Sequence, residues 1–310
     1  MTLFLSTLNQ TTFLFAFVAM GFLLSKMKQV PENSATVLSK LENNVFIPAL
    51  VLETFIGNFT VKAISSMWKL LLVSCIVMVI VVPIVSLISK YLSNDKYLRN
   101  IYTYGLSFSN FGFMGNAVVS ALFPDIFFEY LIFTLPMWTL IYVWGVPNLL
   151  IADSEKKQTL SEKLKKFKNP MFIAMLIGMV IGLVKIPLPT WFSSVVEVSG
   201  NCMSPVAMLL TGVTVSQINL KNTLTDIGIY VVSIIRLIAL PLAFVAVSYF
   251  IPISKTIYLY TLCSLAMPLG LNTIVIPSAY GKDTSVPAGM AMISHLLSCI
   301  TIPLIFIIGT

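Results

Sequence analysis

Charged residues are scarce in this sequence. Asp, Glu, Lys and Arg make up 10% of its 310 residues, against about a quarter in an ordinary soluble domain. So little charge cannot cover a surface that faces water on all sides, which excludes a soluble globular protein. Histidine occurs once and cysteine four times. Cys75, Cys202, Cys263 and Cys299 lie apart in apolar segments with no C-x-x-C spacing, so no metal site or disulfide framework is indicated and they read as packing residues. One histidine and a few intramembrane carboxylates also supply no nucleophile–base or metal-ligand set. A membrane-embedded enzyme is therefore the weakest reading. A receptor would need a sizeable soluble output module, and the chain shows none.

What is there is apolar sequence in long runs. Hydrophobic residues make up 57% of the chain, and its mean hydropathy is +0.94. Residues 70–89, 100–124, 130–152, 198–220, 237–254, 256–281 and 284–310 contain no Asp, Glu, Lys or Arg. A helix of ~20 apolar residues crosses the hydrocarbon core of a bilayer. Segmentation at charges and turn signals predicts ten spans, at roughly 3–25, 36–57, 67–89, 100–122, 128–151, 170–186, 191–216, 226–250, 256–280 and 285–308. The expected fold class is an all-α, multi-pass membrane protein. Residues 1–25 are too long, and lack the leading positive charge, for a cleaved signal peptide.

Basic residues set the expected orientation. The loops after spans 1, 3, 5, 7 and 9 hold fourteen of them, from Lys26 and Lys28 to Lys221 and Lys282. The opposite side holds four, Lys62, Lys69, Lys185 and Lys255. By the positive-inside rule both termini are extracytoplasmic, in the cell membrane. The net charge of +7 then reflects cytoplasmic loops facing anionic lipid, and no nucleic-acid partner is implied.

The one long hydrophilic stretch, 152–169, divides the chain into 1–151 and 170–310, each with five predicted spans. Leu160, Leu164 and Phe167 recur among lysines at helical spacing. An amphipathic helix on the membrane surface and a solvated cytoplasmic linker both fit that pattern. The two halves resemble each other. "NVFIPALVL" from Asn44 matches "NCMSPVAML" from Asn201 in its Asn and its Pro four residues on. "YTYGLSFSNFGFMGNAV" from Tyr102 matches "YTLCSLAMPLGLNTIV" from Tyr260 at a nearly constant offset, which sets Asn110 against Pro268 and Gly112 against Gly270. Shared order at constant offset indicates an internal duplication. Five spans is an odd number, so the two copies must be inverted in the membrane. Matching Gly/Pro-interrupted spans in inverted halves mark the binding site of a secondary transporter, because a broken helix survives at membrane depth only where protein or a cavity satisfies its backbone.

The motifs "SNFGFMGNA" at 109–117 and "AMPLGLNTIVIPSAYG" at 266–281, supported by "NVFIPALVL", resemble the auxin efflux carrier family of transporters, which includes bacterial malate permeases. The resemblance covers the whole chain, and the short 152–169 linker is similar to that of the bacterial branch. It implies ten helices in two inverted five-helix repeats, a scaffold part and a transport part, and a crossover of broken helices 4 and 9 like that of bile-acid symporters. Asn110 matches the Asn before the helix 4 break, and Pro268 and Gly270 match the helix 9 break. Many members carry a Pro two residues after the position of Gly115. Here Ala117 stands there, which leaves the helix 4 break to Gly112 and Gly115.

The substrate site is accordingly expected at Asn110, Gly112, Gly115, Asn116, Pro268, Gly270 and Asn272. Half-helix N-termini and amide side chains there suit a carboxylate. Of the amides, Asn110 and Asn272 lie beside a break. Three ionisable residues fall within spans and are candidates for charge or coupling: Arg236, which can attract an organic anion or pair with a carboxylate, Glu53, which also fits a residue snorkelling to the interface, and His295, which also fits a neutral, satisfied core histidine. The expected function is alternating-access transport of small organic anions, malate-like carboxylates or related acids, without a cofactor and with H+ or Na+ as the coupling ion. A sodium-coupled, bile-acid-type symporter is the runner-up, although no acidic residue stands at the helix 9 break. The expected partners are the substrate and the bilayer; the oligomeric state is left open, a homodimer being one option.

Overall fold

A computed structural model of the chain describes residues 2–151, 170–217, 225–279 and 282–309. The 152–169 segment, where an amphipathic helix or a linker is expected, lies outside the described residues, as does the closing Tyr280-Gly281. Among the described residues the regular structure is helical. In order these helices are α1 (Thr2–Lys26), α2 (Ser34–Leu41), α3 (Ile47–Asn58), α4 (Val61–Leu92), α5 (Lys96–Ser107), α6 (Asn116–Leu122) and α7 (Phe127–Leu140), followed by α8 (Pro170–Val184), α9 (Thr190–Ser216), α10 (Ile227–Ile234), α11 (Leu240–Ser248), α12 (Lys255–Ala266), α13 (Asn272–Ala279) and α14 (Ser285–Gly309). Four of the described helical stretches are long and apolar enough to cross a bilayer, and a fifth is if the bent stretch from Pro124 to Leu150 counts as one span. The chain is a multi-pass membrane protein. Leu and Ile side chains exposed along α4, α8 and α14 suit a lipid-facing surface, where apolar exposure costs nothing.

Four π-turns interrupt the helices, at Glu42–Phe46, Phe111–Gly115, Ile141–Leu150 and Ile235–Ala239. Three begin six residues before a proline: Glu42 before Pro48, Ile141 before Pro147 and Ile235 before Pro241. A proline has no N–H to give and its ring crowds the carbonyl four residues back; a wider turn just upstream accommodates both. At Phe111–Gly115 the corresponding position is Ala117, yet the turn forms. Two glycines let it. A Cβ on Gly112 would run into the Trp138 ring, and one on Gly115 would stand 2.5 Å from the Tyr130 hydroxyl. Close packing from α7 therefore holds this turn where its sequence has no proline.

The helices gather into two groups. α1 lies along α9, and α2 and α3 lie against α9 and α8. The second group has α4 against α5 and α7, with α14 against α10 and the turn that follows it. Residues from both halves of the sequence meet in each group. Within the first, α1 and α9 approach almost backbone to backbone: a Cβ on Gly212 would strike the Val18 carbonyl, and one on Gly21 the Leu209 carbonyl. Gly212→Val should force these helices apart and cost about 1–3 kcal/mol, read as a lower melting temperature of purified protein. An unchanged melt would mean that the two backbones are farther apart than this.

Candidate functional site

Both spans that the sequence marks as interrupted are broken. α5 stops at Ser107, and the chain resumes helically at Phe111; α12 stops at Ala266 and α13 starts at Asn272. The two gaps cross. Ser109 and Leu269 form an isolated antiparallel bridge, and the Asn110 N–H donates to the Pro268 carbonyl at 2.7 Å. The Ser109 hydroxyl donates to Ser264 O at 2.7 Å, and the Leu269 N–H to the Ser294 hydroxyl of α14 at 3.2 Å. In this way strand-like bonding satisfies part of the backbone freed by the breaks.

Each broken span leaves a C-terminal end with free carbonyls and an N-terminal end with free N–H groups. Arg236 takes the C-terminal ends. Its position in a π-turn brings it into the interior, fully buried. Nη1 donates to Leu106 O at 2.8 Å, Nη2 to Ser264 O and Leu265 O at 2.9 and 3.1 Å, and Nε to Met267 O at 3.2 Å. One guanidinium thus joins the ends of α5 and α12, where the helix dipoles favour a cation. The side chain that the sequence offers to an anion or a carboxylate is bonded to backbone carbonyls instead.

The N-terminal ends are open. Among the described residues no hydrogen-bond partner is found for the N–H groups of Phe111, Gly112 and Phe113, or for those of Leu271 and Asn272. Both sets border the same cleft, which encloses about 290 Å³ including its mouth. Asn110, Gly112, Gly270 and Asn272 line it, with the rings of Tyr104, Phe108, Phe111 and Trp138 as apolar walls. The Asn272 amide donates to the Tyr104 hydroxyl at 3.3 Å. Trp138 also borders a second, apolar pocket, about 240 Å³ with its open side included, among α3, α7 and α8, between the two helix groups.

The other expected site residues do not line the cleft. Pro268 shapes the break and offers its carbonyl to Asn110. Gly115 ends the turn and Asn116 begins α6, both buried, and among the described residues Asn116 Oδ1 has no partner. His295 stands on α14 behind Asn110, with Nε2 2.9 Å from the Asn110 amide nitrogen. Glu53 is away from the crossover, its Oε2 beside Gly200 of α9. At the loop end of this region the Tyr97 hydroxyl donates to Asp283 O at 2.7 Å. Burial and then the Asp283 carboxylate push that phenol up to about 12, so it keeps its donor hydrogen at physiological pH.

Glu42 is a buried acid that the sequence reading passed over. It is fully buried at the first position of a π-turn, and among the described residues neither carboxyl oxygen has a hydrogen-bond partner. The signal was available, since Glu42 falls inside the span predicted at 36–57. An unpartnered buried polar group costs about 1–3 kcal/mol, so Glu42→Met should raise the melting temperature. A lower one would mean that the carboxyl has a stabilising partner.

Two comparisons bear on the whole chain. The family model described as membrane transport protein matches residues 7–306. An uncharacterized transporter of Methanothermobacter thermautotrophicus is 23% identical over 299 residues, covering 93% of each chain.

Proposed function

The chain belongs to the membrane transport protein family, that of the auxin efflux carriers, and from that premise we propose that it is a secondary active carrier of small organic anions. One observation carries this reading: the crossover presents N–H ends to a cleft while Arg236 closes the carbonyl ends. Two helix N-termini, each worth about half a positive charge, face a site with no competing carboxylate among its lining residues. Such a site prefers a carboxylate. The aromatic walls add contact area for the body of an organic acid, from a malate-like dicarboxylate to larger acids.

In this reading residues 1–151 and 170–310 are the two inverted five-span repeats, and both termini are extracytoplasmic in the cell membrane. α1–α3 with α8 and α9 form the static group, and the group holding the crossover shifts against it to alternate access. The apolar cavity at Trp138 lies on the seam where such a shift would act. A sodium-coupled, bile-acid-type symporter is the second reading. The carbonyls that a cation at the breaks would use are bonded to Arg236, which favours the first.

Flux into vesicles tests this. Reconstituted protein should take up L-lactate, L-malate or benzoate against an empty-vesicle control, without a requirement for sodium. Gly112→Val, which places methyl groups against Trp138, should reduce that uptake at least tenfold. Sodium-dependent uptake would favour the second reading, and no uptake of any organic acid would remove both.

A further inference from the structure

His295 is the one histidine of the chain. It is buried, and both ring nitrogens are engaged. Nδ1 lies 2.7 Å from the carbonyl oxygen of Ala291. A carbonyl can only accept, so Nδ1 carries a hydrogen, and in the neutral ring Nε2 is then a bare lone pair. That lone pair accepts from the Asn110 amide nitrogen at 2.9 Å. The contact dictates how the carboxamide is turned: its NH2 faces α14, and its Oδ1 faces the N–H of Met114 at 3.5 Å. Asn110 thereby sets an acceptor of its own at the helix N-terminus that borders the cleft.

We propose that His295 is a proton-binding site coupled to the anion: a proton on Nε2 turns the Asn110 amide over, and the turned amide offers donors in place of an acceptor beside the open helix N-terminus. This rests on the crossover cleft being the anion site. With a proton on Nε2, two donors would face each other across the His295–Asn110 contact. Half a turn of the carboxamide relieves the clash, since Oδ1 then accepts from Nε2–H. The NH2 swings to the Met114 side, where it faces the Met114 N–H across 3.5 Å, a longer and weaker donor–donor contact than the one at 2.9 Å that it relieves. The cleft gains two donors beside Phe111, Gly112 and Phe113, and loses an acceptor. The proton is taken from the medium to which the cleft is open and is released with the anion on the other side. Carboxylate and proton cross as a pair without net charge, the least costly form in which to move through a low-dielectric interior.

The surroundings supply no other counter-ion. No carboxylate of the described residues is in ion-pair reach of His295. Of the elements packed on α14, α1 carries Lys26 at its exposed end, α9 carries Glu197 and Cys202, and α10 carries Tyr230. The following π-turn carries Arg236, which is bonded to carbonyls, and α12 carries Lys255, Tyr258, Tyr260 and Cys263. On α14 itself Cys299 sits below the ring, with Sγ 3.9 Å from the His295 carbonyl. The bound anion is therefore what balances an imidazolium here, and the two ligands must favour each other's binding equally.

A single histidine makes the test direct. Purified wild-type carrier labelled with nitrogen-15 in histidine shows one imidazole by magnetic resonance. Near neutral pH and without anion, one ring nitrogen should be protonated and one bare. Saturation with whichever of L-lactate, L-malate and benzoate raises the melting temperature should leave both protonated. Anion binding with no such change overturns the proposal and leaves the carrier reading standing. If none of the three stabilises the protein or enters vesicles, the carrier reading fails and the proposal goes with it. In the wild type, anion affinity should tighten about tenfold per unit of falling pH. In His295→Gln, whose amide oxygen still accepts from Asn110, it should not vary with pH; the same slope in both proteins also overturns the proposal.

Discussion

Replacing Arg236 with methionine should cost the protein its fold before it costs any affinity for substrate. Methionine has a similar stem and no donor, so the carbonyls of Leu106, Ser264, Leu265 and Met267 would lose the guanidinium together, with Ser264 O keeping the Ser109 hydroxyl. Hydrogen bonds from a charged group contribute about 1.5–3 kcal/mol each, and a buried polar group left unpaired costs about 1–3 kcal/mol. These terms do not add cleanly, but even two of them take a large share of a stability margin of about 5–15 kcal/mol. The effect is also local to the crossover, where strand-like contacts are few. The expected result is a collapse in monodisperse yield and a melting temperature lower by well over ten degrees. Arg236→Lys should fall between, because an ammonium is a point charge and cannot span four carbonyls as the planar fork does. If Arg236→Met instead folds and melts like the wild type but no longer binds organic anions, the guanidinium is a substrate ligand and the clamp is misassigned.

Asn110→Asp should do the opposite, keeping the fold and losing the substrate. Aspartate has the same shape, and its oxygens can accept from the Met114 N–H as Asn110 Oδ1 does, although it gives up the donor to His295 Nε2. It also introduces a negative charge on the lining of the cleft. Two like unit charges 4 Å apart repel by about 4 kcal/mol at an effective dielectric of 20, close to three orders of magnitude in binding. Anion uptake into vesicles should therefore drop about a hundredfold or more, while the melting temperature shifts by only a few degrees. Undiminished uptake of a carboxylate by this variant would place the anion elsewhere in the molecule.

Much of this site was legible in the sequence, and for definite reasons. Pro268 cannot continue a helix, and Gly112 with Gly270 stands at the same place in each half, so both breaks could be located before any coordinates. Arg236 announced itself as a cation where lipid tolerates none. What it does there was hidden, because its acceptors are backbone carbonyls on α5 and α12, which no side-chain pattern reports. The His295–Asn110 contact joins residues 185 positions apart and was equally out of reach. Gly115, Asn116 and Pro268 were expected at the site because they are its neighbours in sequence. Neighbours in sequence point in different directions, and none of these three lines the cleft. Glu42 went unnoticed beside the more central Glu53, although only Glu42 is fully buried.

The sequence by itself determined that this chain lives in a bilayer and that two of its spans are interrupted. Those properties follow from local chemistry: the cost of charge in hydrocarbon and the missing N–H of proline. Only the tertiary structure decided which ends of the broken helices stay open. That choice depends on a single guanidinium brought in from a third span, and a through-space contact between distant segments leaves no trace in their order along the chain.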